Sequence, residues 1–331
     1  MPPNRETTHT PAAAMPDYLI RHASLRQLQV FEAIVRHGSF TRAAEELFLT
    51  QPTVSMQIKK LAESIGLPLF EPVGRNVKPT EAGLVVYESC RRIFENLANL
   101  EMKIADLKGV KRGRLRLGVI TTAKYFAPEV LGDFCKKYPG IDVALKVSNR
   151  DRIVERINAN EDDLYVMGAA PAQSDLESFN FAPNPLYVMA PRDHELVGQK
   201  NIPLARVAEE AFILREPGSG IRDATLKKFA AEDLQPKVRM ELGSNEAIKH
   251  AIVGGLGLSV LSLHTLALEG VNGPVAVLDV QGFPIERKWF LVYPRNKELS
   301  PVAQTFLEYA LETEPTMRKR VDALRNGESA Y

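Results

Sequence analysis

Cysteine is scarce in this sequence: only Cys90 and Cys135 occur in 331 residues. That excludes a disulfide framework and fits a reducing compartment. A redox pair is the lesser reading, because single buried cysteines are common. Charge of one sign is also lacking. The net charge of +1 gives no global announcement of nucleic acid, so any such signal must be local. There is no run of eighteen apolar residues and no basic segment leading into an apolar one. Both absences predict a soluble, cytoplasmic protein without a membrane partner. No Gly-x-Ser-x-Gly elbow, Walker loop, His-Glu-x-x-His or Cys-x-x-Cys occurs, and the histidines (His9, His22, His37, His194, His250, His264) are scattered. No catalytic residue, metal ligand or cofactor site is expected. What is present is an apolar fraction of 45%, enough for cores in two or three domains.

The densest local signal lies in residues 24–80. Ser24-Leu-Arg-Gln27 is a capping box opening a helix with an apolar stripe of Leu25, Leu28, Phe31, Ile34 and Val35, which Gly38 stops. Ser39 caps a short second helix with Ala43, Ala44 and Leu47 on its inner side. A third begins at Thr50-Gln-Pro-Thr, with Val54, Ile58, Leu61 and Ile65 facing inward. Its opposite face carries Pro52, Thr53, Ser55, Met56, Lys59 and Lys60, flanked by Gln51. Hydroxyls, an amide and lysines on a packed helix suit a major groove, and two short helices joined by a tight turn form a helix-turn-helix. Leu69–Thr80 then reads as two short strands, a wing whose Arg75 and Lys78 lie against phosphate or the minor groove. With Thr41 on the second helix, these residues form the expected DNA-contacting set. Over residues 21–82 there are eight Lys and Arg against six carboxylates, so placement must achieve what amount does not. The competing reading is a generic three-helix core with a solvated basic face.

From Gly83 the apolar residues Val86, Cys90, Ile93, Leu97, Leu100, Ile104 and Leu107 follow an alternating three-four spacing. That is a heptad seam on a helix ~40 Å long, predicting pairing of two chains and a pseudo-palindromic DNA site. Packing of this helix on its own domain is the alternative.

Beyond Arg114 strands alternate with helices, implying a mostly parallel sheet in two lobes with a cleft between them. Ligands of such lobes lie off the carboxyl ends of strands, at helix N-termini. Three stretches fit: Thr121-Thr122 with Lys124, the loop from Arg215 through Ser219 and Gly220 to Arg222, and Ser244-Asn245. Asn149 and Arg150 stand at the end of a further strand. Hydroxyls, amides and arginines together suit an anion. Each stretch alone is also an ordinary cap or turn.

The order Phe31, Gly38-Ser-Phe-Thr-Arg-Ala-Ala44, Thr50-Gln-Pro-Thr-Val-Ser55, Leu69-Phe70 and Thr80-Glu-Ala-Gly83 resembles the LysR-type transcriptional regulators. The stretches 120–126, 212–220 and 241–249 are similar to the carbon-fixation branch of that family, the CbbR-, RbcR- and CmpR-like regulators of RuBisCO operons and inorganic-carbon uptake. The resemblance implies a winged helix-turn-helix at residues 23–80, a linker and dimerisation helix at 80–109, and a two-lobe domain at 112–313 of the periplasmic-binding-protein type. Lobe I would hold 112–189 and 288–313, and lobe II 190–287. Residues 1–22, with four prolines, are expected as a disordered extension and 314–331 as a charged tail with a short helix. The resemblance further implies a homodimer or homotetramer on double-stranded DNA, RNA polymerase as a partner, and a small anionic co-inducer. A sugar phosphate, 2-phosphoglycolate or 2-oxoglutarate would fill that role. Met56 departs from the arginine frequent in the family after Ser55. The rival classes are an enzyme or a solute carrier on the same two lobes.

Overall fold

The computed structural model describes residues 22–73, 76–109, 111–169, 175–270 and 272–326; residues 1–21 of the expected N-terminal extension, Arg75 and residues 327–331 of the expected tail lie outside them. Two compact units divide the chain at Glu101–Met102.

The first unit opens with α1 (Leu25–His37), α2 (Phe40–Glu46) and α3 (Gln51–Ile65). β1 (Phe70–Val73) and β2 (Asn76–Pro79) follow, then the long α4 (Glu81–Leu107). Ser24 and Gln27 form the reciprocal capping box of α1, and Gly38 ends that helix with a left-handed φ of 62°. Ser39 and Thr50 cap α2 and α3 through their hydroxyls. Val30, Phe31, Ile34, Ala43, Ala44, Val54, Ile58 and Leu61 meet in one buried cluster. Leu25 does not join it and is exposed. At ~100° per residue it lies well round the helix from Phe31. β1 and β2 pair antiparallel as the wing, Glu71 opposite Lys78.

Gly83 is required where α4 starts, because a Cβ there would stand 2.3 Å from the Leu69 carbonyl oxygen. This close approach corrects the seam. Cys90 is buried in the helix-turn-helix core and Val86 packs against it, so the first turns of α4 face their own domain. The exposed seam begins at Ile93 and continues through Leu97, Leu100, Ile104 and Leu107.

The second unit runs β3 (Gly113–Ile120), a 3₁₀ turn (Thr121–Tyr125), α5 (Ala127–Lys137), β4 (Ile141–Ser148), α6 (Arg150–Asn158), β5 (Leu164–Met167) and β6 (Leu176–Pro183). It continues with β7 (Leu186–Pro191), α7 (Leu204–Ala208), β8 (Ala211–Arg215), α8 (Gly220–Ala230), β9 (Lys237–Leu242), α9 (Asn245–Val253) and β10 (Ser259–Ser262). A second 3₁₀ turn (Leu263–Leu266), β11 (Val275–Val277), β12 (Lys288–Pro294), α10 (Pro301–Glu312) and α11 (Glu314–Arg325) complete it.

Lobe I is a sheet ordered β4-β3-β5-β12-β6. β3 is parallel to β4 and β5, but β12 returns antiparallel between β5 and β6. The sheet is therefore mixed, because its closing strand arrives from the other lobe. Lobe II pairs β7 antiparallel with β10 and β11, and β8 parallel with β9. A parallel bridge between Phe212 and Leu258 links the two-stranded sheet to the chain entering β10. Since β7 pairs only within lobe II, the first crossing falls at residues 184–185, not at 189. The short helix expected within the C-terminal tail is present as α11, and it is packed on both lobes. Met317 of α11 enters the lobe I core, whereas Val321 and Leu324 enter that of lobe II.

Candidate DNA-binding face and effector cleft

On the first unit, α3 presents Gln51, Pro52, Met56, Lys59 and Lys60 to solvent, with Thr53 and Ser55 half-exposed. Thr41 on α2 and Lys78 on the wing are exposed too. Among the described residues Lys59, Lys60 and Lys78 have no carboxylate partner, so their charge remains available for phosphate. The neighbouring charges of α1 are instead spent internally. Arg36 pairs with Glu46 at 2.6 Å and with Glu32 at 3.1 Å, and Glu46 also bonds His37. These partners hold the Glu46 carboxyl down at about 2, the Arg36 hydrogen bond contributing most. Gln51 Nε2 donates to Ser55 Oγ at 3.1 Å, one helical turn along. Reading a base edge would exchange that bond for one to DNA.

The second unit holds a cleft of about 600 Å³ between its lobes. It sits off the carboxyl ends of β3, β5 and β8, where helix N-termini aim their free N–H groups. Of the residues singled out in the sequence, Thr121, Thr122, Arg150, Arg215, Ser219 and Gly220 line it. α8 contributes one face at helical spacing, Gly220, Asp223, Ala224, Lys227 and Lys228, continued by Ala231 at its C-cap.

Arg222 lies off that face. It donates to the Arg215 carbonyl at 2.9 Å and pairs with Glu241 at 2.6 Å. Four other expected residues also miss the wall. Lys124 sits over the Tyr125 ring and 3.9 Å from Glu246. The Asn149 side chain accepts from Arg152 N as the cap of α6, and Ser244 caps α9 from Ala247 N. Asn245 is buried one layer back, bonding Arg215 at 2.6 Å and Thr122 at 3.2 Å.

The sequence reading missed Arg287, Asn184 and Trp289, all on the wall. They stand on or beside the two chain crossings, which no motif marks. Asp223 and Lys227 carried a usable signal, three and seven residues beyond Gly220.

Charge is unevenly satisfied. Arg215 is buried and bidentate with Glu216, at 2.7 and 2.8 Å. Among the described residues Arg287 donates to carbonyls alone, Gly220 O at 2.6 Å and Gly168 O at 3.1 Å. Burial, then the neighbouring Arg150, pushes the Arg287 pKa down against the pull of Asp223. Arg150 has no carboxylate partner among the described residues. Two guanidinium groups short of counter-charge, beside the N-terminus of α8, form a receptacle for an anion. Among the described residues no cluster of His, Cys, Asp and Glu could hold a metal, and no helix is long and apolar enough to cross a membrane.

Residues 25–84 match the bacterial regulatory helix-turn-helix of the lysR family, and residues 108–315 the LysR substrate binding domain. The chain belongs to the LysR family of bacterial regulators. This LysR protein is therefore a DNA-binding transcriptional regulator and not an enzyme or solute carrier. It is 52% identical to the transcriptional activator CmpR of Synechocystis, over 88% of this chain and 95% of that one. It is 46% identical to the RuBisCO operon transcriptional regulator of Acidithiobacillus ferrooxidans, over 88% and 94% of the two. Its second unit also resembles the solved CcmR regulatory domain of Synechocystis in complex with 2-PG. That match has a TM-score of 0.61 and 51% identity, and spans 62% of this chain and all of the other. These relatives put this LysR regulator on the carbon-fixation branch.

Proposed function

We propose that this regulator binds a pseudo-palindromic operator at genes for CO2 fixation or inorganic-carbon uptake, and that a small anion in the cleft sets how it does so. The observation that carries the anion is the pair Arg150 and Arg287, two cations on one cleft wall with no carboxylate partner among the described residues. A phosphoryl group or carboxylate supplies the missing charge and accepts from guanidinium forks. Of the candidate classes, 2-phosphoglycolate is favoured over 2-oxoglutarate and sugar phosphates. The 51%-identical CcmR regulatory domain was solved with 2-PG.

Residues 23–80 are assigned to DNA contact, with Gln51, Pro52, Thr53, Ser55 and Met56 against base edges. Thr41, Lys59, Lys60, Arg75 and Lys78 are assigned to the phosphate backbone. Ile93, Leu97, Leu100, Ile104 and Leu107 pair two chains, which sets the two-fold symmetry of the site. Two such dimers would form a tetramer, and RNA polymerase is the partner at an activated promoter. The anion contacts both lobes, so it can favour one lobe angle over another to the extent that it binds them differently. A coupling of ~1–3 kcal/mol between effector and DNA is usual for such a switch.

The test is operator binding by fluorescence anisotropy, with and without 2-phosphoglycolate, and DNA bending measured alongside. A change of bend angle or affinity specific to this anion supports the proposal. Identical binding and bending with saturating ligand contradicts it.

A further inference from the structure

The two chain crossings that join the lobes present donors to the cleft. Asn184 lies on the first crossing; Arg287 and Trp289 lie at the end of the second, and all three line the cavity. Arg287 and Trp289 are two residues apart entering β12, so their side chains share a face. Asn184 is only 3% exposed. Its amide is oriented by Ser262 Oγ, which donates to Asn184 Oδ1 at 2.8 Å. That leaves Asn184 Nδ2 as a donor with no acceptor among the described residues.

A methyl group added at Gly168 would stand 3.5 Å from Asn184 Nδ2 and 3.6 Å from Arg287 Nη2. Both donors therefore border one small space beside Gly168, which itself lines the cavity. Trp289 is wholly buried, and its indole Nε1 has no hydrogen-bond partner among the described residues. An unpaired buried N–H is destabilising, and such groups in folded proteins call for a reason. The carbonyl oxygens of Gly168 and Gly220 are already taken by Arg287.

We propose that Asn184 and Trp289 are specificity-determining residues of the effector cleft. They are uncharged donors on the crossings that, with Arg287, select a group bearing acceptors on every side. A phosphoryl or carboxylate group meets that demand, whereas an ammonium does not. The inference rests on the anion reading above and deepens it: Arg150 and Arg287 supply charge, and the crossings supply direction. A ligand held there is anchored at the pivot of the two lobes.

The experiment is calorimetric titration of the full chain with 2-phosphoglycolate, for the wild type and for Asn184→Ala, Trp289→Phe and Gly168→Ala. Trp289→Phe keeps the aromatic bulk and deletes the N–H. Gly168→Ala deletes no hydrogen bond and fills the space beside the donors. Asn184→Ala strands Ser262, so the other two variants carry the test if it fails to fold. Each folded variant is expected to bind on the order of tenfold more weakly, with unliganded melting close to wild type for Trp289→Phe and Gly168→Ala. Wild-type affinity in those two variants overturns the inference and leaves the anion reading standing. Failure of the wild type itself to bind the anion overturns both.

Discussion

Asn245 Nδ2 donates to Thr122 Oγ1 at 3.2 Å, although the two residues belong to different lobes. Beside this bond, Tyr125 donates to Glu246 at 2.7 Å and Arg215 to Thr121 at 3.4 Å. All three bonds start or end on the 3₁₀ turn that follows β3, so one short turn ties the cleft wall of lobe I to lobe II. Burial, then Glu246 beside it, pushes the Tyr125 hydroxyl up, which keeps it protonated and donating. Asn245→Ala removes the bonds to both Arg215 and Thr122. Leaving them unpaired costs about 1–3 kcal/mol. Melting of the second unit should fall by about 2–4 °C for each kcal/mol lost. Scanning calorimetry checks this, and an unchanged melt would remove the tie from the account.

DNA contacts divide by chemistry. Lys59→Ala is expected to weaken binding to every duplex alike and to flatten the salt dependence by about one counterion. Gln51→Ala and Ser55→Ala are expected to lower discrimination between operator and scrambled DNA, because both face outward on α3 and share a hydrogen bond. Anisotropy titrations at several salt concentrations separate the two effects. Equal losses on both duplexes for all three variants contradict the division.

Assembly rests on the exposed half of α4. Leu97→Asp sets a carboxylate opposite its symmetry mate in a desolvated seam, which is strongly unfavourable. Sedimentation should then show monomers and a loss of specific operator binding. An intact dimer would move Leu97 out of the interface. Cys90, by contrast, belongs to the core, and burial followed by the charge of Glu32 pushes its thiol up to about 11. It is expected to resist alkylation at neutral pH while the domain is folded, which mass spectrometry can follow.

A buried histidine gives the second unit a pH dependence. His264 packs against Phe126 and Trp289 and bonds the Pro183 carbonyl at 2.9 Å. Burial, opposed only by that carbonyl, lowers its pKa to about 4. Below its ordinary value the unfolded chain takes up a proton that the fold refuses. Stability is therefore complete above about pH 6.5 and declines as the pH falls from there towards about 4, by a total on the order of 3 kcal/mol. His264→Gln should flatten that decline in melting temperature. A decline of the same size in the variant assigns it to other groups.

Much of this was legible in the sequence because local chemistry determined it. Ser24 with Gln27, Gly38, Ser39 and Thr50 mark helix ends through bonds made within four residues, and α1, α2 and α3 end or begin there. The apolar spacing of α4 was legible as a period but not as a partner. Cys90 and Leu97 fit one seam, yet Cys90 is claimed by its own domain's core. β6 carries little strand signal in the sequence, because its apolar positions are broken by Glu177, Ser178 and Asn180. In the cleft, the helix N-termini were readable, since a hydroxyl or glycine after a strand is a local signal. Arg287 was not, because its role comes from a chain crossing that brings it beside residues more than sixty positions away. Arg222 differs for a local reason: Gly220 lines the cleft, but two residues along a helix turn the side chain ~200° away.

The most direct measurement is calorimetric titration of 2-phosphoglycolate into the wild type, Arg150→Ala and Arg222→Ala. Arg150 has no carboxylate partner among the described residues and lines the cleft, whereas Arg222 is paired with Glu241 and does not. The account predicts saturable binding by the wild type and an affinity at least about tenfold weaker in Arg150→Ala, the loss of one charge-assisted contact. Arg222→Ala should stay within about twofold of wild type, a difference below ~0.5 kcal/mol. Equal affinity in Arg150→Ala and the wild type would contradict the cleft as the anion's site.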